Sequence, residues 1–160
     1  KLLGEGHFVA VLRKNSGVED DVTLAKGAKL PKEWEAFAKE TGVALPAGKA
    51  VFFGQSLYWA PEEMPDITGV RVLRPGLELG VVKKDRFEPA HALALWLKSA
   101  NSVENLSSES GAIRAYMQGQ TVESTCRGWT LLTVDGFSIG WGKGDGKVLK
   151  NHYPKGLRKS

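Results

Sequence analysis

Cations interleaved with glycines and aromatic rings are the residues of this chain whose types and spacing could do chemistry. They begin at Gly140, where the sequence reads Gly-Trp-Gly-Lys-Gly-Asp-Gly-Lys, and they continue through Val148-Leu-Lys-Asn-His-Tyr-Pro-Lys-Gly-Leu-Arg158. Lysine and arginine hold phosphates, and amide, imidazole and aromatic groups contact sugars and bases. The pattern predicts an RNA-binding surface made of Lys143, Lys147, Lys150, Asn151, His152, Tyr153, Lys155, Arg158 and Trp141, with Arg114 and Arg127 as outlying members.

Other chemistry fits these residues less well. A Walker A phosphate loop ending at Gly146-Lys147 would need glycine where Trp141 stands and serine or threonine where Val148 stands. Cys126 lies beside a cation and could serve a stand-alone enzyme, but no base is near it in sequence, so a plain strand residue is favoured. The glycines could form a tight turn or a flexible loop, and the basic run could be only a solvated tail.

Composition narrows the class of protein. The 160 residues carry 22 Lys and Arg against 18 Asp and Glu, so the net charge is only +4 and the location of the cations matters more than their number. A single cysteine excludes an internal disulfide and suits a reducing, cytoplasmic setting. The three histidines and the cysteine lack zinc-site spacing, and no apolar run is long enough to span a membrane.

Hydrophobic periodicity and turn residues predict an α+β protein. A helix is expected between Pro31 and Gly42, strands over 50–53, 57–59, 70–73 and 77–82, and a buried helix over 88–98. After a connection over 99–110, a short helix should end at 117, and strands are expected over 121–123, 129–134, 137–141 and 147–150. Asp135-Gly136 lies between two β-rich runs and predicts a two-residue hairpin turn.

Three segments carry a resemblance to a known family. Gly4-Glu-Gly-His-Phe-Val-Ala-Val-Leu-Arg-Lys14, Phe87-Glu-Pro-Ala-His-Ala-Leu-Ala-Leu95 and residues 128–158 resemble the Nop/Sun-type RNA cytosine-C5 methyltransferases, in particular the RsmF-like bacterial rRNA enzymes. The resemblance implies four parts. Residues 1–14 would be the last strand of a truncated methyltransferase domain and 15–27 a linker. Residues 28–86 would be a small α/β connecting domain and 87–160 a PUA-like mixed β-barrel with short helices.

The resemblance also implies which functions are absent from the chain. The family's S-adenosylmethionine pocket and its two cysteine motifs belong to the missing N-terminal domain. Thr125-Cys126 matches the second motif only superficially, because it follows that domain's last strand. We therefore expect no catalytic residue, cofactor site or metal site here. The expected partners are rRNA or the pre-ribosomal small subunit and the protein's own methyltransferase domain. The alternative is a structural buttress of that domain with no RNA contact.

Overall fold

The computed structural model describes residues 22–158 of the chain. The strand expected over 7–14 and the first part of the expected linker lie outside these residues. Within the described range the fold is mixed α+β, as the sequence predicts, with two sheets and three α-helices. The expected division at residue 86/87 stays a prediction.

The first helix, α1 (Lys32–Thr41), forms where the sequence predicts it. Pro31 precedes it in extended conformation, and Gly42 ends it in the left-handed conformation that glycine adopts without steric cost. One face buries Trp34 and Phe37, and the Thr41 hydroxyl donates to the Phe37 carbonyl oxygen at 2.8 Å. The helix therefore turns an aromatic face toward the core.

The first sheet is an antiparallel meander. Its strands occur in chain order, and they are β1 (Lys49–Phe53), β2 (Ser56–Ala60), β3 (Leu77–Lys83) and β4 (Arg86–Pro89). The strand expected over 70–73 is wrong, because these residues form an irregular connection. Val70 and Leu73 are 64% and 84% exposed, so their apolar side chains have no sheet face to cover.

The segment between the two sheets also differs from prediction. The helix expected over 88–98 is only α2 (His91–Trp96), because residues 88 and 89 complete β4. The connection expected over 99–110 contains an additional strand, β5 (Val103–Leu106). It precedes α3 (Gly111–Met117), the short helix that the sequence does predict.

The second sheet is mixed and runs in the order β5-β7-β8-β9-β6. Its remaining strands are β6 (Val122–Glu123), β7 (Arg127–Val134), β8 (Phe137–Asp145) and β9 (Val148–Asn151). Strand β5 pairs in parallel with β7, and the other pairs are antiparallel. The Asp135-Gly136 turn is confirmed, since both residues have positive φ, 48° and 87°, as a tight hairpin turn requires.

One aromatic core joins the two sheets. Phe37 of α1 meets Phe87 of the first sheet and both Trp129 and Trp141 of the second, with ring centroids 5.2–6.0 Å apart. A separate cluster around Tyr116, Leu132 and Leu149 fills the other face of the second sheet under α3. Because the two faces of this sheet are buried to different extents along β7–β9, its exposed end is where side chains are free to bind a partner.

Candidate nucleic-acid interface

Strand register places basic side chains side by side at the exposed end of the second sheet. Trp129 of β7 is paired with Lys143 of β8, and Lys143 is paired with Lys150 of β9. Arg127 is two residues before Trp129 and is paired with Asp145 of β8. Arg127, Lys143 and Lys150 are all exposed. With Lys147 in the β8–β9 turn they form what we call the cationic surface: Arg127, Lys143, Lys147 and Lys150.

Trp129 is the support beneath this surface. Its ring is 6% exposed, and the Lys143 Nζ lies 5.3 Å from the ring centroid, within cation–π range. The Trp129 backbone N–H donates to Glu40 Oε1 of α1 at 2.6 Å, which fixes the start of β7 against the helix. The tryptophan therefore positions the lysine rather than offering a free face to a base.

His152 packs against the same tryptophan. The two ring centroids are 4.6 Å apart, and the rest of the imidazole side chain is exposed. Loss of water at this contact lowers the pKa of His152; the Glu88 carboxylate opposes that shift, and the Lys143 charge adds to it. The histidine is therefore a neutral hydrogen-bonding group at neutral pH, bordered by cations.

The β8–β9 turn holds the last member of the cationic surface. Asp145 Oδ1 accepts hydrogen bonds from the backbone N–H groups of Lys147 and Val148, at 3.0 and 3.1 Å. These bonds, and after them the charge of Lys150, lower the pKa of Asp145. The Asp145 carboxylate therefore stabilises the β8–β9 turn. The glycine-rich segment is ordered strand and turn, and a side chain at Gly144 would clash with the Cys126 carbonyl oxygen of the neighbouring strand.

The surface continues into a cleft that the sequence analysis missed. Arg86 of β4 and Lys143 line this cleft of about 200 Å³, whose lining also carries three acidic side chains, Glu33, Glu40 and Asp85. Arg86 and the neighbouring Lys83 both contact Glu88, at 3.0 and 2.6 Å. The sequence could have indicated Arg86 through the run Lys83-Lys-Asp-Arg86. Three cations in four residues at a hairpin turn indicate an exposed basic site.

Trp141 is a correction to the predicted site. Its side chain is 1% exposed, and its Nε1 donates to the Ala90 carbonyl oxygen at 3.1 Å. The ring lies edge-on to Phe37 and to Trp129 in the aromatic core. A base cannot stack on it without unfolding the domain, so the residue is a core residue.

Three further predicted residues have structural contacts. The Asn151 amide donates to the carbonyl oxygens of Tyr116 and Gln120, both at 2.8 Å, and so connects β9 to the end of α3. Tyr153 is half-buried against Tyr116 and His91. The Arg158 guanidinium donates to the Tyr153 carbonyl oxygen at 3.2 and 3.3 Å. These contacts use both amide hydrogens of Asn151 and two donor atoms of Arg158, Nε and Nη2, within the protein.

The last two predicted cations lie apart from the cationic surface. Arg114 is an exposed residue of α3 and lines a groove with Ser108 and Gln118. Lys155 begins the short 3₁₀ helix Lys155–Leu157 after β9 and is exposed. Neither lies in the strand register that joins Lys143 to Lys150.

Cys126 has an acidic neighbour. Its Sγ lies 3.7 Å from Glu104 Oε2 and 4.0 Å from the Val103 carbonyl oxygen. Among residues 22–158, no group of three or more His, Cys, Asp or Glu is placed to hold a metal ion, and no helix is long and apolar enough to cross a membrane.

Comparison with known families gives two adjacent matches. Residues 36–97 match the RsmF rRNA methyltransferase first C-terminal domain, and residues 104–159 match the methyltransferase RsmF PUA domain. The second sheet with α3 therefore lies in the segment that matches the PUA domain, and most of α1, the first sheet and α2 lie in the segment that matches the first C-terminal domain.

Relatives agree with these matches. Ribosomal RNA small subunit methyltransferase F of Shewanella piezotolerans is 28% identical over an alignment of length 172, which covers 97% of this chain and 36% of that protein. The protein of the same name from Shewanella woodyi is 30% identical over an alignment of length 170, which covers 96% of this chain and 35% of that protein. The chain thus spans about a third of the length of these curated relatives. It belongs to the RsmF family and corresponds to the C-terminal region of its members.

Proposed function

We propose that this chain binds structured rRNA through the cationic surface and so positions it for an S-adenosylmethionine-dependent cytosine-C5 methyltransferase domain. The observation that carries the proposal is the alignment of Lys143 with Lys150 across adjacent strands, beside Arg127 and Lys147. Adjacent strands lie about 4.8 Å apart, which brings like charges close together at a cost in repulsion. A polyanion removes that cost on binding.

The electrostatic surroundings support phosphate as the ligand. Among the described residues, the ion pairs involve Lys32, Lys83 and Arg86, and none involves a member of the cationic surface. Asp145 is close but is held by turn N–H groups. With Trp129 and Trp141 buried, backbone contact rather than base stacking would dominate the affinity, as it does for structured RNA.

In this proposal the chain supplies binding and no chemistry. The cofactor would sit in the methyltransferase domain, and the working partners would be rRNA or the pre-ribosomal small subunit in the cytoplasm. Cys126 has no catalytic role in this proposal. Alkylating the cysteine should therefore leave RNA affinity unchanged.

The test is RNA affinity as a function of salt. We expect the chain to bind a structured rRNA fragment and to lose affinity as salt rises, since phosphate contacts release counterions. Lys147→Ala with Lys150→Ala should weaken binding by roughly tenfold and flatten the slope of log affinity against log salt by about one to two units.

The matched control is Lys26→Ala with Lys32→Ala, which removes the same charge from exposed positions elsewhere. If both double variants weaken binding alike, only diffuse attraction remains and the local surface is refuted. If the unaltered chain has no measurable RNA affinity at low salt, the docking function itself fails, and the structural buttress becomes the better account.

A further inference from the structure

An apolar groove lies at the far end of the first sheet from the cationic surface. It encloses about 230 Å³, and its lining includes Pro46, Trp59, Pro61, Leu77 and Trp96. Every residue that lines this groove is uncharged. Such a surface is suited to contact with apolar protein groups and offers nothing to a phosphate.

Trp96 is the most exposed ring of this groove. Its side chain is 43% exposed, and the preceding Leu95 is 55% exposed. The six-residue helix α2 buries Leu93 and Ala94 in the core and turns these two larger side chains outward. Trp96 also borders a second depression beside Gly42 and Ala44, so the ring stands as a ridge between two concavities. Tryptophan in such a position is the residue type that most often anchors protein interfaces.

Trp59 extends the apolar surface rather than adding a polar group to it. Its indole Nε1 donates to the Pro46 carbonyl oxygen at 3.1 Å. The only hydrogen-bonding atom of the ring is thus satisfied within the chain, and the rest of the indole forms a wall of the groove. A partner needs no polar group to match it.

The position of the groove relates it to the preceding polypeptide. Lys49 is paired with Ala60 at the groove, and its Nζ donates to the Ala25 carbonyl oxygen at 2.7 Å and to that of Met64 at 3.3 Å. The first described residues therefore lie at this end of the sheet. The cleft that contains Arg86 and Lys143 is at the opposite end of β3, since Leu77 begins that strand at the groove and the turn after Lys83 leads to Arg86 in the cleft.

We propose that the groove around Trp59 and Trp96 is the docking surface for the methyltransferase domain, because the first described residues lie at this end of the sheet. This inference rests on the proposed function for the existence of that domain. It adds a division of labour: the apolar end binds the catalytic domain, and the cationic end remains free for RNA. The chain covers about a third of its curated relatives, so a partner of sufficient size exists within that family.

The experiment is hydroxyl-radical footprinting of this chain and of the longer gene product that includes the methyltransferase domain. Trp96 should be oxidised severalfold more slowly in the longer protein, because docking removes its ring from water. Phe137, at 79% exposure at the start of β8, is the internal control and should be oxidised at the same rate in both. Trp34, Trp129 and Trp141 are buried and contribute little signal.

A pair of variants of the longer protein sharpens the result. Leu95→Ser with Trp96→Ser should raise the oxidation rate of Trp59. The methyltransferase domain and the region of this chain should then unfold in two separate transitions. Val70→Ser with Leu73→Ser, which alters two exposed apolar residues of the connection, should do neither. Equal Trp96 oxidation in chain and longer protein would overturn the proposal, and so would protection in the chain alone that grows with its concentration, because that marks self-association. Failure of RNA binding with Trp96 protected would refute the RNA-docking function but leave this interface standing.

Discussion

Lys143 shows at the residue scale how one side chain is held where a ligand can reach it. Its ammonium lies over the Trp129 ring while its backbone is paired with both Trp129 and Lys150. An exposed cation–π contact contributes only about 0.5–1 kcal/mol, so its effect is to orient the lysine more than to stabilise the fold. Replacing Lys143 should therefore change RNA affinity much more than stability.

Asn151 should behave in the opposite way. Asn151→Ala removes both hydrogen bonds to the carbonyl oxygens of Tyr116 and Gln120. We expect the free energy of unfolding to fall by about 1–3 kcal/mol, the usual cost of leaving partly buried polar groups unpaired. Urea denaturation measures this change. A variant that loses RNA affinity at unchanged stability would show that Asn151 contacts RNA directly.

Two histidines give stability a pH dependence with a definite sign. Burial lowers the pKa of both His91 and His152 below the ordinary value. The unfolded chain, with histidine pKa values near 6.5, therefore binds protons at a higher pH than the folded chain does. The stability is fully present above about pH 6.5 and is lost as the pH falls from there toward the lower folded values.

His91→Gln tests this dependence. Urea unfolding at a series of pH values should show a smaller loss between about pH 7 and pH 5 in the variant than in the unaltered chain. The carboxylates of Glu88, Asp66 and Asp145, whose pKa values are lowered, act in a more acidic range and do not mask the effect. An identical slope in both proteins would mean that His91 titrates alike in the folded and unfolded states.

At the element scale, the β7–β8 hairpin connects the sheet to its neighbours. Asp135 Oδ1 accepts from the Ser108 N–H at 3.2 Å, and the Gly136 N–H donates to Asn105 Oδ1 at 2.9 Å. The turn thus contacts β5 as well as joining β7 to β8. Few residue pairs adopt the left-handed backbone conformation that this turn requires.

Replacing Asp135-Gly136 by Val-Val should destabilise the protein by about 1–3 kcal/mol for each strained residue, because β-branched residues resist positive φ. Thermal unfolding measures the loss. Phe137→Val is the control, since it places the same side chain one residue later at an exposed strand position where no such strain exists. Equal melting temperatures for the turn variant and the control would refute this account of the hairpin.

The elements also show what sequence can predict. The α1 boundaries and the hairpin follow from local signals, proline, glycine and Asp-Gly, and both were predicted. Strand β5 was missed because Glu104 and Asn105 interrupt its apolar character and because its partner β7 is about 28 residues further along the chain. Residues 70–73 have β propensity but no partner strand, and propensity without pairing does not make a strand.

The residues of the candidate site show the same difference between local signals and long-range contacts. Residue types identified the basic segment, but its register with β7 was needed to place Arg127 beside Lys143 and to separate Lys155 from them. The burial of Trp141 depends on α1 and α2 packing over the sheet. Long-range contacts of this kind cannot be predicted from the local sequence pattern.

At the scale of the whole molecule, the cationic surface and the apolar groove lie at different ends of the protein. The cations Arg127, Lys143 and Lys150 lie together in the second sheet, whereas the uncharged groove around Trp96 lies at the other end of the first sheet. The shared aromatic core makes the two sheets one packed unit. A molecule bound at each end would therefore be held in a fixed relation to the other.

The central claim is that strand register, rather than basic composition, makes the RNA surface. Two double variants test it directly. Lys143→Ala with Lys150→Ala removes two aligned cations, and Arg114→Ala with Lys155→Ala removes two that are exposed but lie elsewhere. The measurement is the dissociation constant for one structured rRNA fragment at one salt concentration. We predict that the first pair weakens binding by roughly tenfold or more and that the second changes it by less than about twofold. Equal losses, or a greater loss for the second pair, would contradict the account.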